Sequence, residues 1–437
     1  MIDFLGKILW AIATVFIVTS SIYFSFRLKG IQFHMKEMFT NLLHKQKDHK
    51  GIGPFQVLMM TLAGRIGVGS IAGIALAIYI GGVGSIFWIW IMAILSSALA
   101  YGETVLGMIY KKRDSDDIYK GGPAYYITDG LGKKKLGTIY AILILICYIG
   151  GFLGIQSNTI TKSIQEIKPI NSYLVGIVIV VVTSLIIFGG VKKIASATGK
   201  IVPIMTLAYV IFAFYIMIIN YQLLPSIFHK IIKEAFHFKP FISGFLTSFI
   251  VGIQRGIFSN EAGLGTGSIA ASTSNSDSPT AQGYIQILGI YITSLFICTA
   301  TAMIILTSQY DSTIFTDVNG IEITQMAFQY HLGNVGNTFI FLSILLFAFS
   351  TILTGYYYGE SSLKYFTNHI KPIYLIFLKV LTLIVVFLGC IMSSTTLWKL
   401  VDVLVAILAI INIYGLFGLR EDIVKELEYY QLQKHRE

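Results

Sequence analysis

Apolar blocks of about 20 to 28 residues recur along the whole chain, and no other feature restricts its fold as severely. Coiled into a helix at about 1.5 Å per residue, such a block crosses the roughly 30 Å hydrocarbon layer of a bilayer. Charged residues are 12% of the 437, against roughly 25% in soluble domains. With so little charge to cover an aqueous surface, the chain reads as an all-α polytopic membrane protein.

Hydropathy predicts eleven spans, near residues 8–26, 55–82, 84–110, 136–161, 172–191, 194–220, 241–272, 281–308, 336–363, 373–393 and 397–418. No segment between them is long enough for a separate soluble domain. The first block is too long for a signal-peptide core and no small-residue cleavage pattern follows it, so it is expected to persist as a helix. Basic residues supply the direction. With the N-terminus outside, 22 Lys and Arg fall on the cytoplasmic side, counting Lys200 near the inner end of the sixth span, and seven on the other. Short basic loops resist translocation. The formal charge of +10 is spread over many loops, so it reflects topology, and no nucleic-acid partner is expected. Cys147, Cys298 and Cys390 lie singly inside apolar blocks, a packing pattern and neither a disulfide framework nor a thiolate metal site. Ser226 to Lys239 has the pattern of a short amphipathic helix on the outer face.

Two blocks make poor continuous helices. The second carries Gly64, Arg65, Gly67 and Gly69 at its midpoint, where backbone entropy and an isolated charge both oppose a lipid-facing helix. The seventh repeats the design with Gly252, Arg255 and Gly256, then Ser259, Asn260 and Glu261. Each opens a run of five spans. Paired Gly-interrupted helices at matching positions in two halves mark inverted-repeat transporters, with the substrate site at the midplane. Unwound backbone at that depth persists only where it lines a cavity or is buried, and there its free N–H and C=O groups become ligands. A zwitterion and a cation suit both kinds: the carboxylate takes N–H groups at a half-helix start, the cation takes carbonyls at a half-helix end. Close helix packing would also use glycines, but it leaves Arg65, Arg255, Asn260 and Glu261 unexplained. Gly67-Val-Gly-Ser-Ile-Ala72 also fits a dinucleotide fingerprint. No strand precedes it and no acidic residue follows at the ribose distance, so that reading fails.

Further motifs follow in order: Gly67-Val-Gly-Ser-Ile-Ala-Gly-Ile-Ala75, Gly81-Gly-Val-Gly84, Phe87-Trp-Ile-Trp90, Gly121-Gly-Pro-Ala-Tyr-Tyr126, Gln156-Ser-Asn158, Arg255-Gly-Ile-Phe-Ser-Asn-Glu-Ala-Gly263, and Phe347-Ala-Phe-Ser-Thr351 leading to Tyr357-Tyr-Gly-Glu360. On these, from about residue 54 to the end of the eleventh span, the chain resembles the alanine or glycine:cation symporter family. The resemblance implies a LeuT-type arrangement, with inverted five-helix repeats at 55–220 and 241–418, an additional helix at 8–26 and a cytoplasmic tail at 419–437. It implies a cell-membrane carrier that moves alanine or glycine with sodium as coupling ion, without a cofactor or an obligate protein partner.

The resemblance also implies a site. The N–H groups of Val68 and Gly69, beside Ser70, would hold the substrate carboxylate. Carbonyls of Ala63, Ile66 and Phe347 and hydroxyls of Ser350 and Thr351 would hold sodium, five hard oxygens that suit an alkali cation; the two hydroxyls could equally bond the preceding helical turn. Gln156 and Asn158 offer donors and acceptors for a zwitterion, or for interhelical bonds alone. Phe249, Gly252 and Gln254 are expected to border the second break, the ring of Phe249 capping a pocket for a methyl group or joining the core. Arg65, Arg255, Asn260 and Glu261 are read as gate or hinge residues, the last three following the second break toward the cytoplasm. Glu103 and Glu360 are intramembrane acids, functional or ion-paired. Val68 and Ser70 stand where the family commonly has Thr and Asn, which bears on substrate choice and on a second cation site.

A channel would also use midplane glycines, but channel filters are usually assembled symmetrically from several chains or repeats. A proton-coupled or exchange-type carrier is the nearer alternative, kept open by the glutamates. The sequence holds no H-E-x-x-H, G-x-S-x-G or P-loop lysine motif, so an enzyme is not expected.

Overall fold

The structure is a computed structural model that describes residues 2–43, 52–114, 118–236, 243–308, 320–367 and 371–434. Its helices are α1 (Ile2–Arg27), α2 (Met35–Leu43), α3 (Pro54–Arg65), α4 (Val68–Gly81), α5 (Ser85–Ile109), α6 (Pro123–Asp129), α7 (Lys134–Ile144), α8 (Leu153–Gln165), α9 (Ser172–Ile187), α10 (Gly190–Ile219), α11 (Leu224–Ala235), α12 (Ser243–Asn260), α13 (Thr266–Ala271), α14 (Pro279–Ile290), α15 (Thr299–Thr307), α16 (Gly320–Leu363), α17 (Pro372–Ile391), α18 (Ser394–Gly418) and α19 (Arg420–Lys434). Strands among the described residues are confined to β1 (Lys112–Arg113) and β2 (Tyr119–Lys120), an antiparallel ribbon. Two π-helical stretches, Leu145–Phe152 and Tyr291–Cys298, join α7 to α8 and α14 to α15.

Among the described residues, nine stretches are long and apolar enough to cross a membrane. The fifth expected span is the shorter apolar helix α9. The seventh is divided into α12 and α13, and residues 241–242 lie outside the described part. Of the expected amphipathic segment, α11 covers all but its last residues, of which 237–239 are likewise outside.

Burial is graded across the protein. The most apolar window of α3–α4 is 83% buried and that of α14–α15 78%, whereas those of α10 and α17 are 28% buried. Leu185, Ile204, Leu207, Ile218 and Phe377 point outward from α9, α10 and α17. Helices apolar on every side are stable in that position when the solvent is lipid. Inside, α4 and α5 pack on α12, α14 packs on α5, and α8 and α16 pack together, with α16 also against α3 and α4; α1 lies along α18 and α5.

α16 begins sixteen residues before the expected ninth span, counted from Gly320 to Gly336, and bends at Gly333 (φ 59, ψ −140). Its first part buries Ile321, Ile323, Ala327 and Phe328. Gly320 touches the carbonyl of Ala72 so closely that any Cβ would collide with it. At the face where α18 ends, hereafter the C-terminal face, α19 ties the protein together. Arg27 pairs with Glu421 at 3.0 Å, Tyr110 donates to Asp422 at 2.7 Å, and Tyr430 lies 3.1 Å from Asn41.

Candidate functional site

α3 stops because Ile66 (φ −85, ψ 66) and Gly67 (φ −110, ψ −151) leave helical geometry, where the sequence predicts an unwound stretch. Gly67 is required for space: a Cβ there would lie 2.5 Å from Thr351 Oγ1 and 3.1 Å from Gln156 Oε1. Thr351 donates to the Ala63 carbonyl at 2.7 Å and stands 2.9 Å from the Phe347 carbonyl, to which Ser350 also donates at 2.9 Å. Ala63, Phe347, Ser350 and Thr351 therefore converge from two helices, and Ile66 forms the adjacent turn. The bonds to Phe347 are the preceding-turn pattern; the bond to Ala63 crosses between helices.

Across the break, the Val68 N–H donates to Gln156 Oε1 at 3.2 Å, while the buried Gln156 Nε2 has no partner. Gly69 faces α12, where a Cβ would lie 3.0 Å from the Phe258 ring. The Ser70 hydroxyl lies 2.7 Å from that of Ser259 and 3.2 Å from the Arg65 carbonyl, so it joins the two broken helices. A narrow crevice too tight to hold a water molecule runs from Gly67 and Val68 past Thr159 to Ile321, Ile344 and Phe347. A second, with room for about one water molecule, shares Ala72, Thr159 and Ile321 and leads to Lys162 and Trp398. Asn158 lines that second crevice, but its Nδ2 donates to the carbonyls of Gly389 at 3.0 Å and Met392 at 2.7 Å. Its amide nitrogen thus serves as interhelical glue.

The second break lies later than the sequence predicts. α12 runs without interruption through Phe249, Gly252, Gln254, Arg255 and Gly256, and left-handed backbone appears at Glu261 (φ 57), Gly263 (φ 88) and Gly265 (φ 85). Phe249 and Gly252 instead face α5. Phe249 meets Trp88 edge-on at 4.8 Å, and a Cβ on Gly252 would lie 2.6 Å from the Ser85 carbonyl. Gln254 neighbours Asp402. Arg255 precedes the break, a correction to its expected place after it. Its guanidinium pairs with Asp402 at 3.3 Å and lies over the Trp398 ring at 5.1 Å, and Trp10 of α1 donates to the Asp402 carbonyl at 2.9 Å.

Hydrogen bonds hold the break from every side. Asn260 accepts from the Ala262 N–H at 3.0 Å and donates to Ser294 at 3.1 Å. Glu261, a non-glycine residue at positive φ that costs about 1–3 kcal/mol, accepts from Tyr148 at 2.6 Å, Thr266 at 3.0 Å and Tyr358 at 3.2 Å. Tyr140 donates to the Leu264 carbonyl at 2.5 Å. Glu103 Oε1 accepts from the Gly265 N–H at 3.1 Å and from Asn412 at 2.6 Å. Arg65 reaches the same layer fully buried, its Nη1 donating to the Gln286 carbonyl at 3.3 Å. The slot is built by two glycines: a Cβ on Gly267 or Gly289 would lie 2.6 or 2.7 Å from the guanidinium. Arg65, Asn260 and Glu261 thus share one polar layer, and Arg255 belongs to another.

Glu360 sits at the C-terminal face, 3.1 Å from Lys364, whose ammonium is 2.7 Å from Asp114; Lys120 lies 3.8 Å from the same aspartate. Sequence reasoning overlooked Thr159, Ile321, Trp398, Asp402, Tyr148 and Tyr358. Asp402, an acid inside an apolar block, carried a signal, and Tyr358 lies within a quoted motif that assigned it no role; Tyr148 carried none.

A sequence model of the sodium:alanine symporter family matches residues 1–437. The probable sodium/glutamine symporter GlnT of Bacillus subtilis (strain 168) is 36% identical over 434 residues, which covers 98% of this chain and 90% of that protein. The amino-acid carrier protein AlsT of the same organism is 37% identical over 413 residues, 94% of this chain and 86% of its own length. The sodium/alanine symporter AgcS of Methanococcus maripaludis is 31% identical over 430 residues, 95% of this chain and 93% of that protein.

Proposed function

The chain belongs to the sodium:alanine symporter family, whose members are membrane transporters and not enzymes, and on that premise we propose that it imports a small neutral amino acid, alanine or glycine, together with sodium. The observation that carries this reading is the meeting of the Ala63 carbonyl with Thr351, Ser350 and the Phe347 carbonyl beside the first break. When sodium enters, the Thr351 hydroxyl turns its hydrogen away from Ala63, and both oxygens face the ion. The substrate carboxylate takes the Val68 N–H from Gln156, whose unpartnered Nε2 then donates to it. Apolar walls of Ile321, Ile344 and Phe347 in a narrow crevice favour a short side chain.

In this reading α9 and α12–α13 complete eleven spans, and 55–220 and 241–418 are LeuT-type inverted repeats in a single membrane domain. The N-terminus lies outside, and the C-terminal face, with the tail at 419–437, is cytoplasmic. Alternating access rocks the broken helices and their neighbours against the rest. Sodium drives the cycle by favouring the loaded, closed state over the open one.

The test is uptake by protein reconstituted in liposomes. Labelled alanine, glycine, serine and glutamine are offered under gradients of sodium, of lithium, or of protons alone. Glutamine is included because GlnT is described as a sodium/glutamine symporter. Sodium-driven accumulation of alanine or glycine is expected, and it is lost when Ser350 and Thr351 are both changed to Ala. Alanine uptake indifferent to every cation gradient, or sodium dependence that survives in the double variant, overturns the corresponding part of the reading.

A further inference from the structure

The buried charged side chains of the described residues fall into three groups. Arg255 faces Asp402, one charge of each sign. Lys120 and Lys364 share Asp114 and Glu360, two of each sign. Arg65, Glu103 and Glu261, exposed by 2%, 1% and 1%, comprise one cation and two carboxyl groups. Two groups balance and the third carries an excess negative charge.

In the sodium-free arrangement no neighbouring side chain corrects the imbalance. Beside Arg65, the titratable groups facing Glu103 are Tyr126 of α6 and Tyr140 of α7, and those facing Glu261 are Tyr140, Cys147, Tyr148 and Tyr358, all uncharged in their ordinary state. Asn412 of α18 and the Gly265 N–H, which also contact Glu103, are neutral. An unpaired carboxylate buried at membrane depth is so unfavourable that the group takes up a proton instead.

Hydrogen bonding distinguishes the two acids. Three hydroxyls donate to Glu261, and they reach both of its oxygens. That pattern suits an ionised carboxylate, the counter-charge of Arg65. The hydrogen bonds from Asn412 and the Gly265 N–H both arrive at Oε1, and the Gly263 N–H also approaches the carboxyl, so Oε2 is the less engaged oxygen and the one to carry a hydrogen.

We propose that Glu103 is a proton-binding site, its proton held on Oε2 in this closed arrangement and passed to water when the C-terminal face opens and hydrates the carboxylate. The O–H bond of the acid breaks, its electron pair stays on Glu103, and the proton leaves as hydronium. Because Oε1 holds the N–H of Gly265, the residue that caps α13, the proton also governs how α5 grips the second break. The site is independent of which amino acid is carried.

Infrared difference spectroscopy of the purified protein in lipid, taken over a pH series, tests this directly. A carbonyl band of a protonated carboxylic acid is expected in the wild-type protein at neutral pH. It is lost in Glu103→Gln and retained in Glu360→Gln, whose acid belongs to a balanced group. Glu261→Gln should also lose it, because Glu103 then becomes the sole counter-charge of Arg65 and ionises. Sodium-driven uptake by the wild type should change with internal pH, and that of Glu103→Gln should not. A wild-type spectrum without the band overturns the proposal even when the variants fail to fold. So does a band that remains whole in Glu103→Gln.

Discussion

Gly67→Ala isolates the contact on which the ion assignment depends. The backbone at 67 has a negative φ of −110, so no left-handed strain arises and the added methyl is the main perturbation. That methyl would lie 2.5 Å from Thr351 Oγ1 and 3.3 Å from Thr351 Cβ. Thr351 is β-branched and sits in a helix, so it has few rotamers to retreat into. It must leave the Ala63 carbonyl or push α16 away. Overpacking of this kind costs about 1–3 kcal/mol, and the lost hydrogen bond about 1 kcal/mol more. If half of the combined 2–4 kcal/mol or so falls on the sodium-bound state, sodium affinity drops about tenfold. The measurements are the sodium concentration that half-saturates alanine uptake, and the rise in melting temperature that sodium gives the purified protein. Thr351→Ser in the same background removes a methyl and loosens χ1, so it should recover part of the loss. Unchanged sodium half-saturation and an unchanged sodium-induced melting shift in Gly67→Ala would refute the argument.

Gly267→Ala and Gly289→Ala each push a methyl into the Arg65 slot and should lower stability by about 1–3 kcal/mol, read as a lower melting temperature. Equal melting in both variants would mean that Arg65 moves aside freely. Asp402→Asn leaves the Arg255 charge buried without its partner and should cost about 1–3 kcal/mol, somewhat below a fully buried pair because Asp402 keeps 17% exposure. Its check is chemical denaturation in detergent. Just beyond the end of α5, burial pushes the Lys111 ammonium down to about 8 from 10.5. The folded state therefore binds fewer protons than the unfolded one between these values, so stability rises with pH across that window. Melting temperatures of wild type and Lys111→Met should differ in slope there.

The first break was legible because four signals coincided. Gly64, Arg65, Gly67 and Gly69 crowd six residues, and the chain unwinds at Ile66 and Gly67 among them. At the second break similar letters misled. Gly252 is a close-packing glycine in a continuous helix, and the unwinding falls at Glu261, Gly263 and Gly265, where positive φ is required. A glycine pattern alone does not tell a neighbour's backbone from a left-handed turn. Asn158 illustrates a different limit: its residue type fits a zwitterion as well as the carbonyls of Gly389 in α17 and of Met392 just after it, and only the packing of α8 against α17 decides. The part of α16 before Gly333 was illegible because its short apolar stretch, from Ile321 to Phe328, falls below the length of a span.

The two π-helical stretches give the protein a form of slack. Each widens its helix by a residue per turn, and such a bulge can travel along a helix by exchanging one hydrogen bond for the next. The side chains it passes rotate by about 100°, the angle per residue of an α-helix. Tyr148 lies in one stretch and holds Glu261; Ser294 and Cys298 lie in the other and hold Asn260 and Ser259. Shifting either bulge by one residue would unhook the residues before and at the second break without breaking a helix or sliding it past its neighbours. Under the alternating access proposed above, that is a ratchet tooth already cut into the backbone.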